Sequence, residues 1–510
     1  MFESQETTPW HKSLTVLIGA CILLPPVGLV LLWTRRDPFS RKILASLFVV
    51  LLGVGYIYLF RTWRMSSVND DHYAVLEQHR AQQQAQADST ANQTAPSTTA
   101  AQPAQPANST AAPNAPTAPE TASAHAGKNY WTDFRGPRRD GRYDEMTVQT
   151  QWPANGLTPI WKQPIGVGYA SFVVADGRAF TIEQRRNQEV VTAYDVATGR
   201  EQWKQGWNAL YSDETGDGPR STPTWDNGRL YALGATGELR CLDAKNGAVV
   251  WARNILSENG ASNLQWAQAA SPLIVDDKVI VLPGGPSGKS VVAYNKTTGA
   301  PVWKSQGDTQ AYVSPMLVTL GGRRQILVVS SDRIFGLAPE DGSLLWSHTW
   351  DTDMGINVSQ PIIVDNNRFF ISSGYGKGAA LVELSGSGNK FTTRTLWENI
   401  NMKNKFNSSV LHEGHIYGLD EGILTCLDVN TGARKWKGGR YGYGQVILAS
   451  GHLIVMSDTG ELALVKASPD QYQEVAKFKA LEGKTWNYPA IAGGTLLVRN
   501  ANEMAAYNLR

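Results

Sequence analysis

The chain has 510 residues, 42% of them hydrophobic and 18% charged, with a net charge of +2. This is enough apolar material for one large folded domain with attachments, and no basic block is present of the kind that tracks a phosphate backbone, so nucleic acid is excluded as a partner. Three cysteines do not make a disulfide framework.

Two apolar stretches open the chain, Leu14–Trp33 and Ile43–Phe60, each long enough to cross a bilayer. Pro25-Pro26 should kink the first without excluding it. Between them Arg35, Arg36, Arg41 and Lys42 face a single Asp37. The positive-inside rule puts that loop in the cytoplasm. The expectation is therefore a transmembrane helical hairpin over residues 1–66. It would place the protein in a bacterial inner membrane as a multi-pass protein, with the membrane as a partner and the folded domain on the extracytoplasmic side. Residues 67–128 are rich in Gln, Ala, Pro and Thr and read as a flexible linker, with helical character over Asp71–Ala87.

From residue 129 to 510 one pattern recurs. A strand-like run ends in a small turn and then an aromatic residue: Trp161, Trp203, Trp251, Trp303, Trp346, Trp397, Trp436 and Phe478. The gaps run from 39 to 52 residues. That period suits a four-stranded propeller blade, and the apolar spacing is that of strands rather than helices. Each unit begins near a Ser-Pro or its equivalent, continues with an apolar second strand such as Lys278-Val-Ile-Val-Leu282, and carries an Asp or Asn followed by a Thr/Asn-Gly turn before the aromatic residue. The indole has a packing role: it can bury a large face between two sheets while its N–H finds a carbonyl. The predicted fold is all-β, an eight-bladed propeller of four-stranded antiparallel blades. The last three strands, near 488–492, 495–499 and 503–508, lack a fourth, and Leu157–Trp161 supplies a fourth strand with no earlier three. Joining them closes the ring without a free edge.

Residues 193–203 read Ala-Tyr-Asp-Val-Ala-Thr-Gly-Arg-Glu-Gln-Trp. This resembles the tryptophan-docking repeat of the pyrroloquinoline-quinone-type β-propeller family at every fixed position. Residues 293–303 depart only at Asn295, residues 241–251 and 426–436 begin with Cys, residues 336–346 lose the Asp to Ala338, and the units ending at Trp397 and Phe478 are degenerate. The resemblance covers about 130–510 and implies the fold. It implies two functions. One is that of the quinone-dependent alcohol or sugar dehydrogenases, with a quinone disc in the channel, a calcium ion and an Asp base. The other is that of the non-catalytic propeller of the bacterial outer-membrane barrel-assembly machinery, to which this chain is closest in character.

Several local motifs resemble chemical sites. Gly284–Ser290 is one residue short of a phosphate-binding loop and is followed by no helix, so it reads as a hairpin loop. His412-Glu-Gly-His415 lacks the helical zinc spacing and reads as a turn. Asp213 and Asp217 form a weak candidate cation loop without a distal bidentate Glu. The mouth of the central channel is the remaining place for function. Residues just before each first strand converge there: Tyr169, Arg220, Gln268, Tyr312, Asn357, Asn407, Tyr443 and Asn487. They could bind a polar ligand or a peptide, or simply cap the channel. The two long loops Lys204–Arg220 and Ala252–Ala270 add Trp207, Tyr211 and Trp266 as candidate contact residues.

No acidic group lies among the mouth residues, so a divalent cation would be poorly neutralised there. The Cys–Cys pair that the dehydrogenase resemblance implies is also missing. The preferred expectation is a non-catalytic scaffold that binds an envelope protein or peptide, with no catalytic residue and no cofactor. The alternative is a quinoprotein dehydrogenase using pyrroloquinoline quinone and calcium.

Overall fold

The computed structural model describes Val30, Trp33 and residues 38–93, 130–388 and 390–510. The chain divides into two compact units, Met1–Val75 and Leu76–Arg510. Among the described residues no helix is long and apolar enough to cross a membrane. This overturns the multi-pass inner-membrane location, and with it the membrane as a partner through a hairpin. The first expected span, 14–33, lies almost wholly outside the described residues. Of the second, 43–60, side chains are described for 43–55. The helix that holds them, Phe39–Gln93, runs on through the polar sequence that was expected within the linker 67–128. Residues 94–129 lie outside the described residues.

In the second unit eight antiparallel sheets follow one another around a ring. Blades 1 to 6 occupy residues 173–208, 224–254, 273–305, 316–349, 362–399 and 410–440, each with four consecutive strands. Blade 7 (445–479) carries a fifth, inner strand, Arg142–Tyr143, which runs parallel to Gln445–Ala449. Blade 8 takes Ala490–Ala492, Thr495–Arg499 and Glu503–Asn508 from the end of the chain and its outer strand, Pro159–Pro164, from before blade 1. The ring closes as the strand count required.

The repeat has a local cause. In every blade the register between third and fourth strands shifts by one residue, as at Ala193/Tyr194 opposite Trp203 and Glu201. A bulge turns the strand and re-aims the next side chain, here toward the neighbouring blade. The indole N–H of Trp203 donates to Ala244 O, that of Trp251 to Lys296 O and that of Trp303 to Pro339 O. Trp161, Trp397 and Trp436 donate to Val196 O, Val429 O and Ser468 O. Beneath five of these rings lies the turn glycine of the next blade at positive φ. A Cβ on Gly247 or Gly299 would stand 2.5 or 2.7 Å from the indole.

Two positions differ. Trp346 donates to Gln325 Oε1 within its own blade and stacks on Phe369, because blade 5 replaces the short turn with a long hairpin of two ten-residue strands, Gly378–Ser387 and Lys390–Asn399. In blade 7 the register puts Ala476, not Phe478, opposite Leu464, at the tryptophan position. Phe478 lies two residues further along, where it packs on Gly156 and meets Trp152 and Tyr507 edge-on.

A second belt runs at the inner strands. The Ser171 N–H donates to Thr222 Oγ1, Thr222 N–H to Ser271 Oγ, Ser271 N–H to Ser314 Oγ, Ser314 N–H to Gln360 Oε1 and Gln360 N–H to Ser408 Oγ. Each bond joins one blade to the next, which is the physical reason for the recurring Ser-Pro. Gln445 carries the belt onward by donating to Phe406 O and Trp486 O.

The far end of the channel is plugged by residues 131–142. Thr132 O accepts from Trp225 N–H, and Trp131 O accepts from Val174 N–H. Arg139 is buried. It donates to Ser271 O (3.2 Å), Pro315 O (2.9 Å) and Pro272 O and pairs with Asp133 (3.1 Å). Arg135, also buried, donates to Ser409 O (2.9 Å). Burial pushes the Asp133 carboxyl up despite the pull of Arg139. On the outer rim the helix residues 76–83 lie against blades 8 and 1. Arg80 donates to Pro164 O (3.0 Å), faces Glu201 (3.5 Å) and covers the Tyr194 ring, while Gln83 donates to Gln163 Oε1 (2.7 Å).

Candidate functional site

The open mouth of the channel is an aromatic bowl. It forms where the loops that leave one outer strand drop to the next inner strand, so each blade delivers one connection to the same place. Tyr169 stacks on Trp486, with ring centres 5.6 Å apart. Phe406 stands 5.0 Å from both Trp486 and Tyr443, and Trp266 stands 5.7 Å from Tyr312. The enclosed cavity is about 200 Å³, and Phe134, from the plug, forms its floor with Ser408, Gln445 and Tyr488. The channel is therefore blind.

Three cations rim this bowl. Arg220 is held by Asp213 (2.7 Å) and lies over the rings of Tyr211 and Tyr169, 4.5 and 5.4 Å from their centres. The Lys484 ammonium lies 3.7 Å from the Trp486 ring centre. Lys405 lies 5.2 Å from both Tyr375 and Tyr443. Desolvation lowers the Lys484 pKa, against the pull of Asp213. Desolvation also raises the Tyr169, Tyr312 and Tyr375 phenols, the last to about 12, so all three stay neutral at physiological pH.

Of the eight mouth residues expected from sequence, Tyr169, Arg220 and Tyr312 line the cavity and Tyr443 packs against its wall. Gln268, Asn357, Asn407 and Asn487 are buried and brace the loops instead. Asn357 donates to Ser330 O (2.9 Å), and Asn487 donates to Gly168 O (3.1 Å) and Ala170 O (2.9 Å). Trp266 reaches the cavity, and Tyr211 bonds Asp213 and Gln265 O beside it. Trp207, expected on an exposed loop, is buried on the last strand of blade 1, with its N–H on Glu189 Oε2 (3.1 Å) and Arg240 over its face.

Sequence reasoning missed Tyr375, Lys405, Phe406, Lys484 and Trp486. A signal was present for two of them. Phe406 and Trp486 directly precede Asn407 and Asn487, and a buried, inward-turned Asn leaves its preceding neighbour to face the opening.

The candidate cation loop does not fit a cation. Asp213 Oδ1 accepts from Thr215 N–H (2.7 Å), Thr215 Oγ1 (2.6 Å) and Gly216 N–H (3.1 Å), while Oδ2 accepts from Tyr211 and Arg220. Asp217 accepts from Ser212 (2.5 Å). Gly285 and Lys289 bridge a hairpin, and His412 pairs with His415 across a turn. Among the described residues no three His, Cys, Asp or Glu side chains are grouped to hold a metal. The bowl has ring faces for a planar disc, but it carries Arg and Lys where a calcium ion would need carboxylates. These residues do not fit a calcium–quinone pair.

Fold and site together define an eight-bladed, tryptophan-docked propeller with one open mouth. A pyrroloquinoline-quinone-like β-propeller family is what the comparisons support. The family profile described as outer membrane protein assembly factor BamB matches residues 186–438. Among solved structures, the quinohemoprotein alcohol dehydrogenase of Comamonas testosteroni is 13% identical, over 76% of this chain and 81% of that one, with a TM-score of 0.51. A quinohemoprotein alcohol dehydrogenase of Pseudomonas putida HK5 is 14% identical over 75% and 80%, also at 0.51. BamB from Moraxella catarrhalis is 17% identical over 69% of this chain and 98% of that one, at 0.49. At these identities the likeness is one of fold. No curated protein matches the chain.

Proposed function

We propose that the protein is a non-catalytic binding propeller whose mouth face docks another protein. The observation that carries this reading is the bowl itself: aromatic walls and Arg220, with no carboxylate or imidazole among the described residues that line it to act as base or metal ligand. The loops around it add exposed apolar tips, Leu210 (62% exposed), Met354 (64%) and Ile400 (65%). All three lie on connections from an outer strand to the next inner strand, which places them on the mouth face. Exposed apolar groups around a concave aromatic centre suit a protein interface with a packed core. The matched family is named for an assembly factor, and that description also favours a protein of the cell envelope as the partner.

The quinoprotein reading shares the fold but lacks cation ligands at the mouth. One comparison separates the two. A photo-crosslinking residue is placed at Leu210 or Met354, and as a control at Val302, which is exposed on the outer strand of blade 3. Crosslinks to a defined partner from the mouth face alone support docking. Stoichiometric quinone uptake with calcium, followed by dye reduction with an alcohol, overturns it.

A further inference from the structure

Resting on the reading of the mouth as a docking face, we propose that its occupant is an acidic–aromatic peptide segment of the partner: one aromatic side chain flanked by carboxylates, presented on a loop tip or chain end.

Size sets the first limit. The cavity is about 200 Å³, below the ~300–1,000 Å³ of sites that enclose cofactors and drug-sized ligands. It has room for one large side chain. The walls set the second. Tyr169, Trp486 and Phe406 present ring faces and edges at spacings that already suit aromatic pairs, and a further ring packs on them with the same geometry.

Charge sets the third. Arg220 has its carboxylate in Asp213. Lys405 and Lys484 flank the same wall, and among the described residues neither ammonium lies within 4.0 Å of a carboxylate. Lys405 bonds Tyr443 OH at 3.4 Å and Lys484 bonds Thr215 O. Two ammoniums held over ring faces, one of them partly desolvated, form a rim that attracts carboxylates and repels basic sequence. The plug sets the fourth limit. With Phe134 as floor no chain can thread the channel, so the occupant enters and leaves by one opening. The exposed tips Leu210, Met354 and Ile400 then meet the rest of the partner, which a free small acid would leave uncovered.

The test uses the full chain and capped, dye-labelled peptides with Glu-Trp-Glu, Lys-Trp-Lys or Glu-Ala-Glu at the centre, read by fluorescence anisotropy. Glu-Trp-Glu should bind best, and its affinity should fall as salt rises. Lys405→Glu and Lys484→Glu should each weaken it about tenfold, the scale of one close interfacial charge pair. Both lysines reach solvent, so neither change threatens the fold. Equal binding of Lys-Trp-Lys or of Glu-Ala-Glu overturns the occupant's chemistry, as does indifference to both charge reversals. The docking reading fails separately: Trp486→Ala would then leave the mouth-face crosslinks to the partner unchanged.

Discussion

Glu189 makes the stability of the ring depend on pH in a direction opposite to that of most carboxylates. It is buried in blade 1, accepts from Ala235 N–H (2.7 Å) in blade 2, and holds the Trp207 indole. Burial outweighs those two bonds and pushes its pKa from 4.5 up to about 7. In the unfolded chain the group ionises near 4.5, so between there and 7 the folded state binds the extra proton. Stability from this group is fully present below pH 4.5 and is lost as pH rises to 7. A shift of about 2.5 units at about 1.4 kcal/mol each amounts to roughly 3 kcal/mol. For a domain of about 380 residues that is about 4 °C in Tm. Glu189→Gln abolishes the titration and leaves all other groups in place. The assay is the difference in Tm between the natural protein and Glu189→Gln, measured from pH 4.5 to 8. It should shift by about 4 °C against the natural protein as pH rises. A difference that is flat, or that moves the other way, refutes the account of Glu189 as a buried, easily protonated group.

Other changes probe the ring more directly. Gly299→Ala forces a Cβ to 2.7 Å from the Trp251 indole at a φ of +71, whereas Gly288→Ala at +81 meets nothing within 4 Å. The first should cost about 2–4 kcal/mol in urea unfolding and the second only the backbone share, about 1–2 kcal/mol. Arg139→Met leaves the half-buried Asp133 without its partner and the carbonyls of Ser271, Pro272 and Pro315 without their buried donor, and should cost about 3–5 kcal/mol, with partial rescue by Asp133→Asn in a double-mutant cycle. Deletion of Glu503–Arg510 removes the strand between Thr495–Arg499 and Pro159–Pro164, and should lower the single melting transition of the ring rather than fray one end. An unchanged transition would mean that blade 8 does not close it.

What was legible in the sequence was whatever repeats. The turn glycine, the bulge and the indole lie within a dozen residues of one another, so Trp203, Trp251 and Trp303 announce themselves locally. Phe478 misled by two positions because a register shift cannot be read from aromatic spacing: Ala476 fills the docking position, and the ring lies further along the same strand. The plug was illegible for a different reason. Arg135 and Arg139 find acceptors at Ser409 and Pro315, 274 and 176 residues away, and no periodicity links them. At the mouth the sequence could locate the loops but not the rotation of each side chain. Asn357 and Asn487 turned inward to bond carbonyls, and Trp486, one residue earlier than expected, became the wall.

The sequence that precedes blade 1 does work that the repeat cannot do for itself. A ring of consecutive blades has one seam, and here it falls inside blade 8, where Glu503–Asn508 pairs with Pro159–Pro164 from before blade 1. Three non-repeating pieces converge on it. Arg142–Tyr143 adds an inner strand to blade 7, Pro159–Pro164 completes blade 8, and residues 76–83 cover the rim of blades 8 and 1 through Arg80 and Gln83. Arg80 also adds a cation beside Glu201, which shares Arg185 with the fully buried Glu183. All of these contacts lie on the rim or at the plugged end. Among the described residues before blade 1 only Phe134 and Tyr169 reach the bowl, and Phe134 does so from below. Among the described residues the closing devices thus leave the mouth face uncovered, and that is the face on which the aromatic walls and the rim lysines meet.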